Sequence, residues 1–488
     1  MNSSPQFDVL IVGAGISGIG LAHHLKTECP DKTFGIIESK RTFGGTWETH
    51  SYPGVRSDSD LYTFGYRFKP WIGPPVAGKD AILNYMQEVI RDDGLEEFIH
   101  YGKKVLRARW SSDQQMWSLA AEDIDSGVVE TFKARFLWMA QGYYDHAKGY
   151  IPEWKGLQNF KGHVVHPQTW PEDLQYKDKK VLVIGSGATA ATLIPNMADE
   201  CEHLTMLQRS PTYFWTGENR NELADRLRRL DLPEEWVHEI VRRDILQTGK
   251  DIQYASAQMP EVVKEELLKV VRQELGDEIT EKHFTPSYRP WQQRLAYVPD
   301  GDLFQAIKSG KVSVHTDTIK QFTANGVELN SGEYIEADIV VSATGFNLLF
   351  LGGIKFDIDD KPMALNEQFS WKGLMLSDVP NLICVFGYLR TSWTMRVDLI
   401  GDFVTRMLKH MDTKGYHVVT PVLEGAALTM PARPWLDPDE FNPGYVKRGV
   451  NAFPKQGDHE PWLFTTDYYT EKETLPAVDL DHASLNFS

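Results

Sequence analysis

Gly13-Ala14-Gly15-Ile16-Ser17-Gly18 comes after the apolar run Val9-Leu10-Ile11-Val12, and Gly185-Ser186-Gly187-Ala188-Thr189-Ala190 comes after Val181-Leu182-Val183-Ile184. In a G-x-G-x-x-G/A turn the first Gly permits the tight bend and the second lets backbone approach a pyrophosphate. The third lets helix pack closely on strand. The pyrophosphate then lies on free backbone donors at a helix N-terminus. The residues downstream of the two turns differ in charge. The strand Phe34 to Ile37 runs into Glu38, whereas the strand Leu204 to Leu207 runs into Gln208-Arg209-Ser210. A carboxylate there accepts hydrogen bonds from an unphosphorylated ribose, while Arg with a hydroxyl neighbour suits a 2′-phosphate. The pattern predicts FAD at the first turn and NADPH at the second. One glycine motif alone is weak evidence. Here each succeeds a buried-type strand, opens a helical pattern and meets a suitable residue downstream, a conjunction that two ordinary turns rarely show.

Bulk composition narrows the class. A chain of 488 residues implies two or three domains. Its net charge of −17 opposes nucleic acid or an anionic membrane as the main partner, yet leaves room for a local basic pocket. No run approaches the roughly 20 apolar residues of a membrane span. Met1 to Gln6 lacks the basic and apolar regions of a secretory leader, and Asn2 does not fit myristoylation. A cytoplasmic location is expected. Cys29, Cys201 and Cys384 are far apart and show no metal-type spacing. That separation excludes the disulfide reductases, which also hold two dinucleotides but need a close redox Cys pair beside the flavin.

The elements that must position the two turns read as an α/β fold: two Rossmann-like dinucleotide-binding domains with a helical insertion in the second. Residues 1–144 form the first part of the FAD-binding domain and 145–216 the first part of the NADP-binding domain. Residues 217–289 form the insertion, 290–345 complete the NADP-binding domain, and 346–488 return to the FAD-binding domain. Between Gly44 and Trp71 Gly and Pro are frequent and no period emerges, so a loop is expected. Ile82, Tyr85, Met86, Val89 and Ile90 predict a helix over 81–94, and residues 103–140 predict a strand meander. In the insertion Val263, Leu267, Val271 and Leu275 form one apolar stripe, with Lys and Glu on a solvated face.

Between the two nucleotide units, the segment from Phe160 through Gly162 and His166 to Trp170-Pro171 fits F-x-G-x-x-x-H-x-x-x-W-P. Upstream, Gly44-Gly45-Thr46-Trp47 is followed after four residues by Tyr52-Pro53-Gly54 and then Asp58. On these two patterns the chain resembles the type I Baeyer–Villiger monooxygenases. The similarity extends over almost its whole length, including Asn442-Pro443-Gly444-Tyr445 and Pro454-Lys455-Gln456-Gly457. The related flavin-containing monooxygenases keep the Phe, Gly and His but usually carry Tyr or Phe where this chain has Trp170. Within the family the chain is most similar to the ethionamide-activating subgroup.

The resemblance implies a reaction. NADPH reduces FAD, dioxygen adds to give a flavin peroxide, and oxygen is inserted beside a ketone carbonyl or transferred to a sulfide or thioamide. The partners are a small ketone or sulfide and dioxygen, and no metal is required. An N- or S-oxygenating enzyme without ketone activity is the alternative reading. Arg294 falls where the family carries its active-site Arg, and Asp58 closes the second signature beside the flavin. A permanently charged guanidinium would hold the oxyanion, and a carboxylate would orient it. Without the resemblance, a surface ion pair would be the simpler reading of Arg294.

Cofactor contacts carry over to Gly13, Gly15, Ser17, Gly18, Glu38, Thr46, Trp47 and Asp58, and to Val105 beside the adenine. For the nicotinamide nucleotide they carry over to Arg56, Ser57, Gly185, Ser186, Gly187, Ala188, Thr189, Ala190, Arg209 and Ser210. His166 is expected to brace a hinge between domains; with Pro167 next to it and no further ligands, pairing with His163 on a metal is disfavoured. Many relatives have Lys before the catalytic Arg, whereas Gln293 stands here, so Arg209 and Ser210 are left with most of the 2′-phosphate recognition. Met139-Ala140-Gln141-Gly142 departs from the usual Ala-Ser/Thr-Gly. The substrate pocket is expected between the aromatic loop after Asp58, the insertion and the stretch from Leu389 to Arg396.

Overall fold

The computed structural model describes residues 5–437, 439 and 441–488. Residues 1–4, which carry most of the expected absence of a leader, lie outside them. Strand β1 (Gln6–Val12) pairs in parallel with β2 (Phe34–Ile37) on one side and with Val129–Met139 on the other. Val9 to Val12 and all of β2 are buried, as expected for parallel strands covered on both faces. Lys103–Ser111, Met116–Asp123 and Val129–Met139 form the expected antiparallel meander on the same sheet. Between β1 and β2 lies helix α1 (Ile16–Glu28).

The stretch 44–71 is not all loop. It contains the four-residue helices α2 (Thr46–Thr49) and α3 (Leu61–Phe64). Helices this short show no hydrophobic period, which is why the sequence does not reveal them. Tyr62, Phe64 and Tyr66 of this stretch are buried in the core. The expected helix is present as α4 (Lys79–Asp92).

The second sheet is wholly parallel. Its order is Val312–Thr316, His203–Gln208, Lys180–Ile184, Ile339–Ser342 and His163–Val165, and the second glycine turn leads into α5 (Ala188–Met197). Four helices come next: α6 (Glu222–Arg228), α7 (Glu234–Gln258), α8 (Pro260–Leu275) and α9 (Asp277–His283). Along the expected stripe of α8, Leu267, Val271 and Leu275 are buried, whereas Val263 is only partly covered.

These helices serve both halves of the molecule. Val271 and Leu275 pack into the core of the second sheet, while Val237 and Val241 of α7 pack into the core of the first. Buried Arg242 of α7 donates to the carbonyls of Tyr62, Thr63 and Gly65, the free acceptors at the end of α3. After α10 (Asp302–Lys308), the strand Leu382–Cys384 adds to the first sheet beside Val129–Met139. Helix α11 (Trp393–Lys414) packs on α1, where Gly401 admits the ring of His24. Among the described residues no helix is long and apolar enough to cross a membrane.

Candidate active site

The first cradle is built by backbone. Gly13 has φ +107°, a conformation that L side chains rarely adopt, and its N–H donates to the carbonyl of Ile37 at 2.8 Å. A Cβ on Gly18 would strike the Gly13 carbonyl, so only Gly lets α1 approach β1 this closely. Gly15 faces Gly45, whose missing Cβ would lie 3.0 Å from the Gly15 Cα, and the Gly44 N–H donates to the carbonyl of Ala14 at 3.0 Å. The Gly44-Gly45-Thr46-Trp47 loop therefore sits directly on the fingerprint. Buried Glu38 accepts N–H bonds from Ala14 and Lys40, each at 2.8 Å, which fixes its carboxylate beside the turn with lone pairs to spare. Ser17 is buried and accepts from the Trp393 indole at 2.8 Å, and Trp47 packs edge-on against Phe64. Val105 is buried beside a register shift in its strand.

The second cradle has the same construction. Gly185 has φ +134°, and a Cβ there would strike the Ala343 carbonyl. Nothing lies within 4 Å of a Cβ built on Gly187, which leaves room for a phosphate. Ala190 is fully buried against the second sheet, the place of the third small residue. Ser186 hydrogen-bonds Thr212 at 2.9 Å, and Thr189 lies against the phenol of Tyr52. Ala188 is the first residue of α5. Arg209 and Ser210 are exposed at the end of their strand, and no carboxylate pairs with Arg209 among the described residues. These features fit two dinucleotides, one on each cradle.

The two cradles are tied together by the segment Tyr52-Pro53-Gly54. Gly54 is pressed against Asn196 of α5, and Tyr52 joins the core of the second sheet. Beyond it, Arg294 Nη2 donates to Asp58 Oδ1 at 2.6 Å, joining residues 236 positions apart. Arg294 is 43% exposed and Asp58 21%, because the pair faces a cleft. The Asp58 carboxylate holds the guanidinium proton more firmly than usual against the opposing effect of burial, and the phenols of Tyr445, Tyr144 and Tyr143 lie within electrostatic reach of the same guanidinium. Of these phenols the sequence marked only Tyr445, within the family-like segment Asn442-Pro443-Gly444-Tyr445, and gave it no role. Tyr143 donates to Tyr144 at 2.8 Å, Tyr144 meets Tyr445 edge-on at 5.9 Å, and Tyr143 stacks on Trp393 at 5.3 Å. Burial keeps all three phenols neutral. For Tyr143 and Tyr144 the local signal is that the pair directly follows Gly142.

Arg56 and Ser57, expected near the nicotinamide nucleotide, both have partners within the protein. Arg56 forms a two-pronged ion pair with Asp302 of α10, at 2.5 and 3.2 Å. Buried Ser57 donates to the Ser59 carbonyl at 2.8 Å and accepts the Ser59 N–H at 3.0 Å.

The long signature between the domains is explained by packing. Phe160 packs edge-on against Phe322, and Gly162 leaves no room for a Cβ against the Asp338 carbonyl. Burial lowers the pKa of His166, so its ring is neutral near pH 7. With Nδ1 accepting from the Gln168 N–H at 3.1 Å, Nε2 carries the proton and donates to the Gly345 carbonyl at 2.9 Å. Both nitrogens are used by backbone on the chain leading in and out of the second sheet, which makes His166 a brace.

Asp60 caps α3 two residues beyond Asp58, accepting the Tyr62 N–H at 2.8 Å. Desolvation pushes its carboxyl from 3.8 up to about 7. A raised folded-state value means the folded protein keeps a proton that the unfolded chain has shed. Stability therefore falls as pH climbs from about 4 to about 7 and is flat above. Asp60→Asn keeps the cap and removes that slope. Melting temperatures across pH 4 to 8 should show the variant gaining on the wild type up to neutrality; parallel curves would refute the assignment.

Fold and cradles define a two-dinucleotide flavoprotein. A family model described as L-lysine 6-monooxygenase/L-ornithine 5-monooxygenase matches residues 83–348, and one for an NAD(P)-binding Rossmann-like domain matches residues 11–69. The putative FAD-containing monooxygenase MymA of Mycobacterium tuberculosis is 42% identical over 489 residues, 99% of this chain and 98% of its own length. The FAD-containing monooxygenase EthA of the same organism is 41% identical over 486 residues, 99% and 98% of the two chains. Among solved structures, an oxidized steroid monooxygenase bound to NADP superposes with TM-score 0.76 at 21% identity, over 99% of both chains. Cyclohexanone monooxygenase from Rhodococcus sp. Phi1, bound to NADP+, gives 0.75 at 21% identity over 100% of both. The chain belongs to the FAD-containing monooxygenases, and its fold is the one expected from the Baeyer–Villiger resemblance.

Proposed function

We propose that this enzyme binds FAD on the first cradle and NADPH on the second, and uses dioxygen to insert oxygen beside a ketone carbonyl, giving an ester or lactone. Sulfides and thioamides are a second substrate class for the same site. The Asp58–Arg294 pair carries the reading. Held by the Gly13-Gly15-Gly18 turn and Glu38, FAD would supply the redox chemistry, hydride acceptance from NADPH and activation of dioxygen. Arg294 stays cationic at any working pH and holds negative charge that develops on the carbonyl oxygen, which water in an open cleft would do less well. Asp58 aims the guanidinium, and the neutral phenols close one side of the cleft without competing for its charge. Because all three cysteines are free and buried, a reducing cytoplasmic setting belongs to the proposal.

The family model for lysine and ornithine monooxygenases favours a second reading, nitrogen or sulfur oxygenation without ketone activity. A panel of linear, cyclic and aryl ketones separates the two. Ester from any ketone supports the first, whereas sulfoxide with no ester from the whole panel supports the second. For the nucleotide, Arg209→Ala should raise KM for NADPH by about tenfold or more while moving that for NADH little, since one charge-assisted bond to the 2′-phosphate is lost. Equal rises would undo the assignment of Arg209.

A further inference from the structure

We propose that Arg448, from the C-terminal part of the chain, joins Arg209 as a second cation at the 2′-phosphate of the nicotinamide nucleotide. The inference rests on the NADPH reading above. Arg448 lies on α12 (Gly444–Gly449), whose approach segment docks on the loop of Arg294: the Asn442 N–H donates to the Gln292 carbonyl at 3.0 Å. The guanidinium is placed by three neighbours. Its Cζ sits 3.5 Å over the Tyr150 ring, its Nη2 donates to the Phe346 carbonyl at 3.3 Å, and Gly345 leaves it room. Gly345 belongs to the turn Ala343-Thr344-Gly345, and Ala343 is the residue that presses on Gly185 of the second fingerprint. Arg448 therefore stands at the mouth of the second cradle.

Its electrostatics point to an anion. Among the described residues neither Arg448 nor Arg209 has a carboxylate partner, although the chain has 68 Asp and Glu against 51 Lys and Arg. Arg448 is exposed, and partial desolvation and the like charge of Arg209 make its cation harder to keep, against the opposing effect of Tyr150. Two guanidiniums within electrostatic reach of each other are stabilised by a dianionic group bound between them, and a phosphate monoester accepts forked donors from both. The pyrophosphate belongs to the N-terminus of α5, so the 2′-phosphate beside Arg209 is the group left to bind. The same short helix carries Tyr445, which joins phosphate recognition to the Arg294 cleft.

Equilibrium binding of NADP+ and NAD+ to the FAD-loaded enzyme tests this. Arg448→Ala should weaken NADP+ by about tenfold or more and NAD+ by less than about twofold, with Arg448→Lys in between. Arg448→Gln keeps a donor for the Phe346 carbonyl and serves where the Ala variant does not fold. Unchanged NADP+ affinity, or equal losses for both nucleotides, would overturn the inference while leaving the NADPH reading intact. A wild-type enzyme with no preference for NADP+ would overturn both.

Discussion

Arg294→Ala is expected to retain FAD and to be reduced by NADPH, yet to lose oxygen transfer by about three orders of magnitude or more. Among the described residues the guanidinium is the ion-pair partner of Asp58, and both cradles are built from residues that do not touch it. Truncation also leaves Asp58 with an unopposed negative charge where the reaction develops another, so the deficit exceeds the loss of one hydrogen bond. Arg294→Lys keeps the charge but loses the forked geometry and should recover only part of the rate. Stopped-flow measurement separates reduction from oxygenation. Ester or sulfoxide formation at near wild-type rates in the Ala variant would remove Arg294 from the mechanism, and slow reduction would move its role to the nucleotide.

Adding one methyl group at each of two fingerprint glycines should have opposite structural consequences. In Gly18→Ala the new Cβ meets the Gly13 carbonyl, which is backbone and cannot move without separating α1 from β1. That variant should be recovered with little FAD and a melting temperature lowered by several degrees, as expected for a ΔΔG of about 2–3 kcal/mol. In Gly187→Ala the Cβ meets nothing. The protein should fold, keep its FAD and melt as the wild type, but bind NADPH about tenfold or more weakly because the methyl fills the phosphate cradle. Calorimetry and flavin content read both. A destabilised Gly187→Ala, or a fully loaded Gly18→Ala, would contradict the cradle geometry.

The cradles were legible because each is local. A buried strand, a turn with glycine at the positions of positive φ, and a helix start are contiguous in the chain, and Glu38 and Arg209 stand at the ends of the next strands. The meander and α4 were legible for the same reason: their hydrophobic periods are carried by neighbouring residues. Asp58 and Arg294 were named only through resemblance, since nothing within either segment reports the other.

By itself, then, the sequence determined two dinucleotide cradles of opposite charge, the strands beneath them and the α/β class. Tertiary structure decided what surrounds the cleft. It turned Arg56 to Asp302, drew Tyr445 beside Tyr144, set α7 against the first core through Arg242 and brought Arg448 to the second cradle. These contacts form when loops hundreds of residues apart converge. Their energy lies in side-chain packing and long-range charge, which leave no period or spacing in the local sequence.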